Sequence, residues 1–72
     1  MSTDQIKQLE KQLRRARRIA GEHAMELHDL VEDSLPADYE RLPALSAATY
    51  SACKNWDTAR QALERATEEL QA

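Results

Sequence analysis

Seventy-two residues with a formal net charge of −3 make one small domain at most. A chain of this size buries only about 60% of its unfolded surface, so help from a partner or a second copy is expected. One glycine, two prolines, no phenylalanine and 4% aromatic residues favour long helices and exclude a sheet, which needs β-branched and aromatic side chains. The negative balance speaks against general nucleic-acid binding, and the single Cys53 excludes an internal disulfide. The polar start Met1-Ser-Thr-Asp-Gln and the lack of a long apolar run lead us to expect a cytoplasmic chain with no membrane contact.

The first predicted element is a helix over about 4–33. Ile6, Leu9, Leu13, Ala16, Ala20, His23, Leu27 and Leu30 are spaced by threes and fours, the repeat of a helix that packs along one seam. Ser2 or Thr3 can cap it, with Gln5 as a capping-box partner of Ser2. Pro36 forces Leu35 out of helical geometry, so this helix ends near Asp33 or Ser34 and a loop over 34–42 follows. A second helix over 43–71 repeats the pattern with Leu45, Thr49, Ala52, Trp56, Ala59, Leu63, Ala66 and Leu70, and Pro43 suits its first turn. The fold class is therefore all-α: an antiparallel two-helix hairpin in a single domain, residues 1–72.

A turn centred near Asp38 would set Trp56 opposite Ala20 and Gly21, Leu63 near Leu13 and Leu70 near Ile6, large against small. Gly21 then has a role, because a mid-helix glycine costs up to about 1 kcal/mol relative to alanine and room for an indole offsets that. One hairpin covers only one side of each helix and leaves Ala24, Val31, Ala48, Cys53 and Ala62 beside the seam. A homodimer closing into a four-helix bundle is the expected solution.

Packing alone does not explain the segment Met25 to Pro36. It sets His28 with Asp29, Glu32 and Asp33 on the last turns of a helix, where the macrodipole favours cations. Asp38 and Glu40 make the loop end an acidic tip, and Tyr39 adds an aromatic of the kind enriched at interfaces. Met25, His28, Asp29, Glu32, Asp33, Asp38 and Tyr39 are therefore the candidate partner-binding residues, suited to a basic protein surface.

Other chemistries are less well served. His28 and Glu32, four residues apart, can hold a metal weakly, titrate, or stand as a solvated pair. His23 and Cys53 can approach each other at the seam. Neither pair has a metal-motif spacing, so no metal and no cofactor is expected. Lys7, Lys11, Arg14, Arg15, Arg17 and Arg18 could meet RNA phosphates, but stacking aromatics are missing among them and Glu64, Glu68 and Glu69 are expected to neutralise the band. With no glycine-rich phosphate loop and no paired carboxylates in a cleft, the chain does not read as an enzyme.

Met25-Glu-Leu-His-Asp-Leu-Val-Glu-Asp-Ser-Leu-Pro36, then Asp38-Tyr-Glu-Arg-Leu-Pro43 and Thr49-Tyr-Ser-Ala52, resemble the small Rop-like helical-hairpin proteins encoded among bacterial nitrogen-fixation genes. The resemblance spans roughly residues 5 to 70, with the Leu-His-Asp-Leu core and the Leu-Pro turn as its distinctive parts. It implies a hairpin that pairs into a four-helix bundle and an accessory role around nitrogenase: assembly, cofactor maturation, repair or protection. The implied partner is a nitrogenase component, the molybdenum-iron protein first, and no catalytic residue is carried over. Tyr39 stands where the pattern has tryptophan, and Ser34 is an added residue between Glu32-Asp33 and Leu35-Pro36.

Overall fold

The computed structural model describes residues 3–71. Over the first stretch of seam residues the chain forms α1, Thr3–Asp29, which runs into a single wider turn of π-helix, Leu30–Ser34. After a short reversal comes one turn of 3-10 helix, Tyr39–Arg41, and then α2, Leu42–Gln71. No strand occurs among the described residues. The helices thus lie where the three-and-four spacing put them. Pro43 sits in the first turn of α2 as expected, whereas Ser2, one of the two expected caps, lies outside the described residues.

The end of α1 differs in kind from the sequence expectation. Leu35 is extended, with φ −82° and ψ 147°, as a residue before proline should be. Its N–H still reaches back five residues to Leu30 O at 3.1 Å, and that widens the last turn. The Leu35–Pro36 peptide bond is cis. Asp38 N–H then donates to Ser34 O at 2.9 Å, and Arg41 N–H to Asp38 O at 3.0 Å, so the reversal satisfies its own backbone.

The hairpin is a rod of 54 × 14 × 13 Å. Two parallel cylinders shield little of each other, and only Leu30, Ala52 and Ala66 are buried among the described residues. Among the described residues, Leu30 is the one large side chain fully removed from solvent, which is worth about 1.5–3 kcal/mol. Small Ala52 and Ala66 on α2 let α1 approach closely. Thr49 joins the helices: its Oγ1 lies 2.8 Å from Leu45 O and 3.2 Å from His23 O, a hydroxyl shared between its own helix and the neighbour.

These contacts correct the expected register. Thr49 meets His23 and Asp38 meets Ser34, so the chain reverses about Pro36 and not about Asp38. Leu63 is consequently level with Leu9 rather than Leu13, and Leu70, 48% exposed, lies beyond Ile6. Trp56 does share a groove with Ala20 and Gly21. It does not fill the space at the glycine, however: a Cβ built on Gly21 would meet nothing within 4 Å. The indole instead lies under the Arg60 guanidinium, 5.9 Å from its centroid. Packing within the hairpin gives Gly21 no reason to be glycine.

Candidate partner-binding tip

Between residues 25 and 40 the chain carries Glu26, Asp29, Glu32, Asp33, Asp38 and Glu40 and no lysine or arginine. All six are exposed. Five of the candidate residues hang from two supports: Met25, His28 and Asp29 on the last turns of α1, Glu32 and Asp33 on the π turn that Leu30 anchors in the core. Asp38 and Tyr39 belong to the reversal and the 3-10 turn.

The structure divides this set. His28 stands between two carboxylates, with Nε2 3.6 Å from Glu32 Oε1 and Nδ1 3.9 Å from Asp29 Oδ1. Both are ion-pair distances for a protonated imidazole and too long for hydrogen bonds. Met25 and His28 line a shallow apolar groove with Gly21 and Ala24. On the other side of α1, Asp29 and Asp33 line a second groove with Glu26, Leu30, Ser34 and Arg41. Arg41 leans toward Asp38, 3.9 Å away, and leaves Asp33 in no ion pair among the described residues. Tyr39 projects from the turn at 64% exposure and Met25 from α1 at 61%.

His23 and Cys53 do not form the pair considered from sequence. Cys53 is exposed in the groove of Arg17, Ala20, Gly21, Ala24 and Trp56, while the backbone carbonyl of His23 accepts the Thr49 hydroxyl of α2. No group of three or more His, Cys, Asp or Glu side chains among the described residues is placed to hold a metal ion.

The basic stretch also differs from expectation. Arg18 pairs with Glu22 at 2.9 Å within α1, and Glu64 is held by Arg60 of its own helix at 2.8 Å. Lys7, Lys11, Arg14, Arg15 and Arg17 take part in no ion pair among the described residues, so the acids of α2 do not neutralise the band. The reason is reach: a partner one turn away on the same helix is nearer than one across the hairpin.

The best-organised polar group was not anticipated. Asp57 Oδ1 accepts from Arg60 Nε and NH2 at 3.0 and 2.8 Å, and its Oδ2 accepts from Gln61 at 2.9 Å. The bond from Arg60 is the main cause that holds the Asp57 carboxyl below its ordinary range, and the bond to Asp57 likewise raises Arg60 further. The spacing Asp57, Arg60, Glu64 was the available signal.

Fold and site together define an all-helical hairpin with a charged, solvent-facing turn. A family model described as Rop-like matches residues 4–68, and the chain belongs to the Rop-like family. It is 37% identical over 60 residues to a UPF0437 protein of Nostoc sp., an alignment that covers 83% of each chain. It is also 39% identical over 59 residues to a UPF0437 protein of Trichormus variabilis, across 82% of this chain and 67% of that one. No solved structure matches the chain significantly. No described helix is long and apolar enough to cross a membrane.

Proposed function

We propose that the chain is a non-enzymatic accessory protein of nitrogen fixation whose loop end binds a nitrogenase component, the molybdenum-iron protein first. The observation that carries this reading is the coincidence of two independent features at one place. The Leu27-His-Asp-Leu30 and Leu35-Pro36 motifs that resemble the nitrogen-fixation proteins lie among the exposed acidic side chains that the buried core does not use. In the complex, Asp29, Asp33 and Asp38 meet basic side chains, His28 donates a hydrogen bond, and Tyr39 with Met25 supplies the apolar contact. Affinity purification from nitrogen-fixing cells tests it. The unmutated chain should retain nitrogenase polypeptides and the double variant His28→Ala, Asp29→Ala should lose them; equal retention by both would remove the tip as the contact.

One observation favours a second reading, RNA binding, namely the unpaired side chains of the basic stretch. It makes the opposite prediction: Arg14→Ala with Arg18→Ala abolishes capture of RNA while changes at the tip do nothing. Metal carriage, a third class, requires stoichiometric metal in protein purified without an affinity tag.

A further inference from the structure

The hairpin itself leaves the residue type at Gly21 unexplained. A mid-helix glycine weakens a helix, yet the space that a Cβ would take is open. Two shallow grooves meet at this residue. Arg17, Ala20, Cys53 and Trp56 line one, Met25 and His28 line the other, and Gly21 and Ala24 belong to both. They form one apolar trough. Tyr50, 69% exposed, falls one turn from Cys53 on the same face of α2. Tryptophan, tyrosine and methionine are the residue types that concentrate in the cores of interfaces.

The trough has a definite length. Beyond Arg17 its stripe on α1 continues as Arg14, Glu10 and Lys7, and beyond His28 as Glu32. From Arg17 to His28 the apolar stretch is therefore about 17 Å long at 1.5 Å per residue, a third of the 54 Å rod. A second hairpin laid here would run past both charged ends, whereas a helix of about three turns fits between them. The ends differ in sign. Arg14 and Arg17 are exposed and take part in no ion pair among the described residues. At the other end Glu32 and Asp29 stand on either side of His28, 3.6 and 3.9 Å away.

We infer that the trough holds a short amphipathic helix of another protein. The apolar stripe of that helix packs over Gly21 and against Trp56, and the missing Cβ lets it approach α1 closely. A carboxylate at one end of the helix meets Arg17, and a lysine or arginine at the other meets Glu32, about 22 Å away. Met25 and His28 sit where this surface adjoins the acidic tip. The inference goes beyond the proposed nitrogenase contact and does not rest on it.

Titration followed by the fluorescence of Trp56, the single tryptophan, tests it with two synthetic helical peptides of about four turns. Both carry the same leucine and alanine face; one has glutamates at one end and lysines at the other, and the second has lysines at both ends. The first should bind with a Kd below about 100 μM and the second about tenfold more weakly. Gly21→Leu fills the trough and should weaken binding of the first peptide by about tenfold or more, while circular dichroism shows its helicity kept. Arg17→Glu should reverse the preference, so that the peptide with lysines at both ends binds more tightly. No binding of the first peptide at about 1 mM, equal affinity in Gly21→Leu, or a preference that Arg17→Glu leaves unchanged would overturn the inference. So would sedimentation equilibrium in which Gly21→Leu turns a self-associating chain into monomers, because a second copy would then be what fills the trough.

Discussion

Leu30→Ala tests the frame on which the tip is hung. Leu30 is 2% exposed and is the largest fully buried side chain among the described residues, and its carbonyl closes the π turn through Leu35 N–H. Truncating a buried leucine costs about 3 kcal/mol from lost burial plus the cavity left behind. A domain of this size has only about 4–11 kcal/mol in all, and each kcal/mol lowers Tm by about 4–8 °C. The melting temperature should therefore fall by about 15 °C. Val31→Ala is the internal control: Val31, next to Leu30 in sequence, is 53% exposed, so the same kind of truncation should cost about 0.5 kcal/mol or less. Thermal unfolding followed by circular dichroism at two protein concentrations separates packing within the hairpin from association, because association alone makes Tm depend on concentration. Equal losses from the two variants would refute the assignment of Leu30 as the core anchor.

Two further outcomes follow from single side chains. Gly21→Ala should raise stability by about 0.5–1 kcal/mol, since a Cβ there meets open space; a fall in Tm would show that something occupies the groove beside Trp56. Asp57 has its carboxyl held below the ordinary range by Arg60, so its contribution is present above about pH 4 and is lost as pH falls through the lowered folded value. Asp57→Asn should flatten that part of the acid limb of the Tm profile and change little at pH 7, because the carboxylate is solvent-exposed and well screened. An unchanged acid limb would show that the carboxylate gains nothing from Arg60.

Much of the fold was legible because helix packing writes its period into the chain. The seam from Ile6 to Leu30 and that from Leu45 to Leu70 fixed two helices, and Pro36 fixed the extended Leu35 between them. The offset between the helices was not legible. Spacing along one helix carries no information on axial shift against another, and here that shift is set by the widened turn at Leu30–Ser34 and the tight bond from Asp38 to Ser34. Trp56 shares a groove with Ala20 and Gly21 as expected, but it does not fill the space at the glycine. At the tip, sequence picked exposed residues, but the two sides on which Met25 with His28 and Asp29 with Asp33 fall follow from where the α-helix gives way to the π turn. Charge pairing across the hairpin was misjudged because local partners such as Glu22 and Asp57 compete better than distant ones.

With Leu30, Ala52 and Ala66 as its buried residues, the lone hairpin opens readily, and opened chains are what proteases cut. Any partner that binds the closed form therefore lengthens its life by mass action. Copies made in excess of that partner should be cleared first, so the steady-state amount of the protein should follow the amount of what it binds. Pulse–chase labelling with and without the partner expressed would measure that dependence as a ratio of half-lives.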